Sequence, residues 1–322
     1  MAVQEYAFGP VPSRRLGRSL GINNIPAKTC SYACIYCQVD GATRMKADRL
    51  ICYRPEDIFD AAQRRVAKVL SASEGIDYLA FVPDGEPTLD ISLGETIERL
   101  RTLGLSIAVI TNSSLLWRED VREELAGANW VSVKIDTVEE KIWRKVNRPH
   151  KALKLETILE GVTAFANRFA GKLVTETMLV GGVNDQTEAL YGLADFLGRL
   201  NPQTAYLSIP TRPPAVSWVR CPDEASLNQA FQIVSEKVGQ VEYLIGYEGN
   251  AFAYSGDIEK DLLSVTAVHP MREEAVESLL FRAAAPREVV EKLLASGELQ
   301  KTIYNGHAFY VRSFRKHFIP SQ

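Results

Sequence analysis

Three of the five cysteines in this 322-residue chain fall within eight residues of one another, in the stretch KTCSYACIYCQ, Lys28 to Gln38. Cys30, Cys34 and Cys37 are separated by three residues and then by two. Thiolates are soft ligands suited to zinc and to iron–sulfur clusters. Tetrahedral structural zinc wants four ligands, usually as two separated pairs. Here three thiols share one stretch, and the first histidine is His150. Cys52 and Cys221 are single and far apart, and nothing in the setting of Cys52 marks it as a fourth ligand. Three readings are open. The cysteines are small hydrophobes at i, i+4 and i+7 on one helix face. They bind zinc. Or they hold a [4Fe-4S] cluster with one iron left open, which would explain why there are three.

Other polar residues sit at the ends of β-rich runs. Asp84, Gly85 and Glu86, in PDGEP, follow YLAFV (78–82). Thr111 and Asn112 close SIAVITN (106–112), and Lys134 and Asp136 close WVSVKID (130–136). Gly181, in LVGGVND, follows KLVTETMLV (172–180). Ser208 and Arg212 end TAYLSIP (204–210) and its extension TRPP. The carboxyl ends of parallel strands are where α/β folds place ligands. Taken singly, such residues are also ordinary caps and turn formers.

The runs have the length and apolar content of strands buried on both faces. Between them, stretches such as PEDIFDAAQRRVAKVL, LKLETILEGVTAFANRF and EALYGLADFLGRL repeat apolar residues at three and four. SLGETIERLRTLG ends on a glycine, a helix stop. This alternation predicts right-handed βαβ units and a parallel sheet, open or curled toward a barrel. VEYLIGYEG (241–249) is a candidate last strand. Near Ser255-Gly256-Asp257 the pattern changes to three helical stretches and LQKTIYNGHAFYVRSF. Asn305-Gly306 there supplies the positive φ values of a type I′ hairpin turn. Helix, helix, helix, hairpin is a winged-helix plan. The expected division is a core at 1–256 and a small winged-helix domain at 257–322.

Apolar content of 46% and charged content of 24% are ordinary for a globular protein. MAVQEYAFGPVPSRR has no apolar h-region, and no run of about 18 apolar residues exists. Neither a secretory signal nor a membrane span is expected. An odd cysteine count then points to a reduced, cytoplasmic setting. The net charge of −3 argues against broad nucleic-acid coating but leaves room for a local basic patch. Arg14, Arg15 and Arg18 are either a phosphate grip or, more simply, a charged solvated edge. From residue 257 onward, nine Lys and Arg balance nine Asp and Glu, without the basic footprint of an autonomous DNA binder. His269, in AVHPM, reads as a capping or core histidine.

Cys30, Cys34, Tyr36 and Cys37 match the Cys-x3-Cys-x2-Cys hallmark of the radical S-adenosylmethionine superfamily, with its aromatic before the last cysteine. The chain resembles that superfamily. The resemblance implies a partial (β/α)6 barrel whose [4Fe-4S] cluster binds the amino and carboxylate groups of S-adenosyl-L-methionine at its open iron. One electron then cleaves that cosubstrate to a 5′-deoxyadenosyl radical, which abstracts a hydrogen from substrate. PDGEP looks like the superfamily's Gly-Gly-Glu motif, with Asp84 in place of the first glycine; it would receive the methionyl ammonium. Thr111, Asn112, Lys134 and Asp136 become candidates for its ribose and carboxylate, and Gly181 for the backbone beside adenine. Tyr36 and Ser208 join this cofactor-binding set. Arg212 could pair with a substrate anion or solvate a loop.

A narrower likeness runs through FGPVPSRRLGRSLGINNIPAKTC, GEPTL, VSVKID, VNRPH, TETMLVGGVND and SIPTRPPA. It is similar to proteins related to the tRNA wyosine-forming synthetase, over roughly 7–215. That branch implies action on tRNA, joining a two-carbon unit of pyruvate to a methylated guanosine. The synthetase's second cluster needs further N-terminal cysteines, and none precedes Cys30 here. Lys28 and Lys134 are the candidates for a pyruvate Schiff base, a salt-bridge role being the simpler one. With no flavodoxin-like domain in this chain, an external one-electron reductant of flavodoxin or ferredoxin type is expected. Rival readings are a peptide-modifying maturase whose winged helix holds a leader peptide, and a non-enzymatic zinc-binding regulator.

Overall fold

The structure, a computed structural model, describes residues 6–38, 44–245, 252, 254 and 256–313. β1 (Ala7–Ser13) and β2 (Gly17–Ile22) form an antiparallel hairpin. β3 (Thr29–Cys30) and β4 (Arg44–Met45) pair in parallel, apart from the main sheet. The main sheet continues through β5 (Tyr78–Phe81), β6 (Ser106–Thr111), β7 (Trp130–Lys134), β8 (Lys172–Met178), β9 (Thr204–Ser208) and β10 (Val241–Leu244). Its order is β1-β2-β5-β6-β7-β8-β9-β10, parallel throughout from β2. The expected α/β class and parallel sheet are therefore present. β5 to β10 stand where the β-rich runs predict them. Residues 246–249 of the last run lie outside the described residues.

Helices α1 (Pro55–Ser71), α2 (Leu93–Arg101), α3 (Glu119–Leu125), α4 (Glu140–Val146), α5 (Leu155–Ala166), α6 (Thr187–Leu200) and α7 (Glu224–Ser235) connect the strands. α1 shows why they form. Pro55 sits in its first turn with Glu56 and Asp57, and Lys68 in its last, as the helix dipole favours. Ile58, Ala62, Val66 and Val69 make one buried stripe against the sheet. α3 and α4, seven residues each, were not legible because so short a helix shows barely two apolar repeats. β1 was hidden by Pro10 and Pro12, which argue against a strand. It is an edge strand with an irregular register between Phe8 and Val11, where missing donors are tolerated.

Alternation divides the strands into two faces. Leu79, Phe81, Val109, Val131, Val133 and Leu207 pack outward with the helices. Ala80, Ala108, Trp130, Val174 and Tyr206 form a separate inner cluster with Leu16. Beside it lies a cavity of about 340 Å³, with walls from both Val11 of β1 and Leu244 of β10. In a flat sheet those edges would stand about 34 Å apart, seven spacings of about 4.8 Å. The sheet is therefore curled around the cavity, as in a partial barrel, and β1 and β10 do not pair.

The C-terminal elements are α8 (Ile258–Val268), β11 (Met271–Arg272), α9 (Glu273–Arg282), α10 (Glu288–Ala295) and the hairpin β12 (Leu299–Tyr304)–β13 (His307–Arg312). Met271 and Arg272, which open the helical stretch MREEAVESLLFRA expected from the sequence, instead pair with Tyr310 and Phe309. Asn305 and Gly306 have φ of 47° and 76°, the type I′ signature the sequence predicts. Leu262, Val265, Met271, Leu279 and Tyr310 share one core with Phe8 and Val11 of β1. The guanidinium of Arg65, on α1, donates to Asp261 Oδ1 at 2.9 Å and to the Gly9 carbonyl at 2.7 Å. Among the described residues no helix is long and apolar enough to cross a membrane.

Asp261 is fully buried and Arg65 is 10% exposed. Removing one partner of such a pair strands the other charge. Arg65→Ala is expected to cost about 3–5 kcal/mol, read as a lower urea midpoint. A loss under about 1 kcal/mol would show that this pair does not anchor α8.

Candidate functional site

The cysteine stretch is a loop, not a helix, so its thiols do not share a helix face. It borrows its hydrogen bonds from neighbours. Ala33 N–H donates to Asn147 C=O at 3.0 Å and Ile35 N–H to Val146 C=O at 2.9 Å. Cys30 C=O accepts from Lys46 N–H at 3.0 Å, and Ser31 C=O from His150 N–H at 2.8 Å. Cys30, Cys34 and Cys37 form no disulfide and are partly exposed. Burial, then the Asp136 charge, raises the Cys34 thiol to about 12, and burial, then the charges of Glu86 and Cys34, also raises Cys30. Among the described residues no three His, Cys, Asp or Glu side chains are placed to hold a single metal ion. A cubane makes a different demand, because each thiolate binds its own iron. Cys52 lies beside Asp90 and Cys221 against the Pro210 carbonyl, so neither joins the loop.

Two amides reach the sulfurs. Asn112 Nδ2 lies 3.5 Å from Cys30 Sγ, and Asn147 Nδ2 lies 3.5 Å from Cys34 Sγ. Each amide is set by a buried carboxylate. Glu86 accepts from Asn112 N–H at 2.7 Å, Thr111 Oγ1 at 2.6 Å, and Thr88 N–H and Oγ1 at 3.1 and 2.6 Å. Burial raises its pKa, opposed by those donors. Asp136 accepts from Asn147 Nδ2 at 2.6 Å, from Met178 N–H at 2.8 Å and from the Tyr36 hydroxyl. Asp84 differs. It is 5% exposed, lines the cavity, and neither carboxylate oxygen has a hydrogen-bond partner. Burial pushes its pKa up to about 7, against the pull of the Lys28 charge. Gly85 has φ 152°, and a Cβ there would meet the Thr29 carbonyl at 2.0 Å, so only glycine fits.

The inner wall carries an ionic group. Glu176 pairs with Arg15 and with Lys134 Nζ at 3.0 Å, and accepts from Ser208 Oγ at 3.2 Å. Burial opposes its charge, but Arg15 and Lys134 outweigh it and hold the carboxyl at about 2. Burial likewise opposes the Lys134 charge, and Glu176 and Asp136 overcome it. Its amine stays protonated, the wrong state for a Schiff-base nucleophile. The Lys134 ammonium also lies 5.0 Å from the Tyr36 ring centre. Arg212 donates to Gln38 Oε1 at 2.8 Å and lies 3.0 Å from His269 Nε2. Gly181 stands apart: its N–H donates to Arg220 C=O at 2.9 Å, and a Cβ would meet the Cys221 carbonyl at 2.7 Å.

A family model described as the Radical SAM superfamily matches residues 24–194, which hold all of the loop. The chain belongs to the radical SAM superfamily. It is 46% identical over 311 residues to a UPF0026 protein of Methanocaldococcus jannaschii, covering 96% of each. A structure of TYW1 with a lysine-pyruvate adduct bound shares its fold, at TM-score 0.53 and 18% identity over 69% of this chain and 74% of that one. Streptococcus suis SuiB bound to S-adenosylmethionine does so at TM-score 0.51 and 13% identity, over 69% and 49%.

The superfamily motif leads to the loop and its carboxylates, but several residues of the cavity wall were not foreseen. Arg15, read as part of a solvated edge, turns inward because Glu176 gives it a buried partner. Arg18 of that run pairs outward, with Glu74. Glu176 had a signal: it is a charge on the inward alternation of β8, between Val174 and Met178. Asn147 and Gln38 had none. His269 caps α8 as expected, and it also lines the cavity from the C-terminal side.

Burial, then the Arg212 charge, pushes His269 well below its usual 6.5, so it is neutral when folded. The unfolded chain takes up that proton below about pH 6.5 and the folded chain does not. Stability from this residue is thus complete above 6.5 and falls with pH below it, by at most about 1.4 kcal/mol per pH unit. In melts from pH 7.5 to 5.5, His269→Gln should flatten this part of the slope. An unchanged slope would mean that His269 is charged in the fold.

Proposed function

We propose that the chain is a radical SAM enzyme whose Cys30, Cys34 and Cys37 hold a [4Fe-4S] cluster beside a cavity that takes S-adenosyl-L-methionine and substrate. The observation that carries this is the donor set. Three thiols sit in one loop, and among the described residues neither Cys52 nor Cys221 joins them, in a chain of this superfamily. Asp84 supports the cosubstrate: a buried carboxylate with two unpartnered oxygens fits an ammonium group. Bound together, cluster and cosubstrate supply one-electron cleavage to a 5′-deoxyadenosyl radical.

The chain's own residues orient and exclude. Glu86 and Asp136 set Asn112 and Asn147 against the Cys30 and Cys34 sulfurs, contacts that tune a cluster's potential. Tyr36, held by Asp136 and lying under Lys134, closes the loop over the cavity. Among the described residues Arg14, Arg15, Lys134 and Arg212 line it against Asp84 and Glu176, which favours a substrate carrying an anionic group. Our reading is a nucleotide-like substrate, with tRNA, as in the wyosine-forming branch, the leading case. A base of tRNA would have to leave its stack to enter. The protonated Lys134 speaks against pyruvate chemistry at that residue. We read the C-terminal elements as a winged helix that completes the cavity wall through His269.

Anaerobic incubation of the reconstituted protein with dithionite and S-adenosyl-L-methionine should yield 5′-deoxyadenosine. Cys34→Ala should lose both cluster absorbance and product. A full cluster without product, or one zinc and no iron, would sink the reading. Asp84→Asn separates stability from binding. A carboxyl raised to about 7 favours the fold at low pH and costs stability as pH rises from about 4 to 7. At pH 7.5 the variant should therefore melt a few degrees higher, on the order of 2–4 °C per kcal/mol recovered, yet bind S-adenosyl-L-methionine at least about tenfold more weakly. Unchanged binding would remove Asp84 from the site.

A further inference from the structure

We infer that the surface flanking the cysteine loop is the docking face for an acidic one-electron donor protein of flavodoxin or ferredoxin type. This rests on the radical SAM reading above. Residues 44–46 and 144–154 hydrogen-bond the loop from two sides, through Lys46 to Cys30, His150 to Ser31, and the carbonyls of Val146 and Asn147. Their sequences are RMK and RKVNRPHKALK, with seven Lys and Arg and no Asp or Glu, in a chain of net charge −3. All seven are exposed. Arg144 pairs with Glu140 at 2.6 Å, and none of the other six makes an ion pair with a described residue. Arg148 is held at φ 45°, a conformation rare for a residue with a Cβ, and its carbonyl accepts from Ala33 N–H at 3.2 Å. The backbone that carries these charges is thereby pinned to the loop that carries the thiols.

A one-signed patch attracts an opposite surface, speeds encounter and fades with salt. An acidic protein and an RNA both answer to that charge, and the cavity favours the protein. No residue of 44–46 or 144–154 lines the cavity. A substrate must bring its reacting atom inside, whereas a donor needs only to come close behind the thiols. In the encounter the donor's flavin or iron–sulfur centre loses one electron and the chain's cluster gains it, with no bond made or broken. Small, transient, electrostatic contacts are the usual form of redox encounters.

The probes are a purified flavodoxin, a purified [2Fe-2S] ferredoxin and bulk tRNA, each titrated against the reconstituted full chain by fluorescence anisotropy at 50 and 300 mM salt. At least one donor should bind at 50 mM, and at least about tenfold more weakly at 300 mM. Lys145→Glu/Arg148→Glu/Lys151→Glu should weaken that binding at least about tenfold and slow reoxidation of the reduced donor in stopped flow. Arg168→Glu/Lys172→Glu, near the amino-terminal end of β8, should do neither. Dithionite, which needs no docking face, should drive 5′-deoxyadenosine formation equally in all three proteins. Loss of the dithionite reaction in the wild type would defeat the radical reading itself, while donor binding stays measurable. The docking face is overturned if neither donor binds, if the triple variant binds the donor as the wild type does, or if it loses tRNA binding alone.

Discussion

A carboxylate buried at a strand end must be matched by donors, or it costs several kcal/mol. Glu86 and Asp136 meet this constraint, and the site is arranged around how they do so. Each gathers donors from the ends of neighbouring strands and from an asparagine that also touches a cysteine sulfur. The thiol loop has little hydrogen bonding of its own, so its shape is inherited from these anchors and from residues 146–150. Asp84, two residues before Glu86 in the chain, has no hydrogen-bond partner at either carboxylate oxygen. The same turn thus holds one acid that is satisfied by the fold and one that is not.

The interior wall follows a related rule. Glu176 would be intolerable on the inside of the sheet without Arg15 and Lys134, and their charges would be intolerable without it. The three charges come from the β1–β2 turn, from β7 and from β8. They draw together elements that a flat sheet would keep apart. The curled sheet leaves β1 as an edge, and the C-terminal elements cover it with a shared apolar core. His269 comes to the cavity with that cover, and stays neutral beside Arg212 because burial outweighs its basicity.

Much of this was legible beforehand. Apolar runs of four to nine residues located the parallel strands, since a strand buried on both faces has no polar alternation to confuse it. Asn305-Gly306 located the hairpin turn, because few residue pairs accept two positive φ angles. The β1–β2 hairpin escaped notice because Pro10 and Pro12 mimic a loop. Met271 and Arg272 were misread because a two-residue strand is decided by its partner, here β13.

The sequence by itself determined the cysteine spacing, the acids Asp84, Glu86 and Asp136 at the ends of two strands and the strand–helix alternation, since these are local in the chain. Tertiary structure alone decided which acids are satisfied and which is not. It also decided that Arg15 faces Glu176, 161 positions away, and that His269 meets Arg212, 57 positions away. A buried charge is stable only beside a partner, and that partner is chosen by where the curled sheet brings distant strands together.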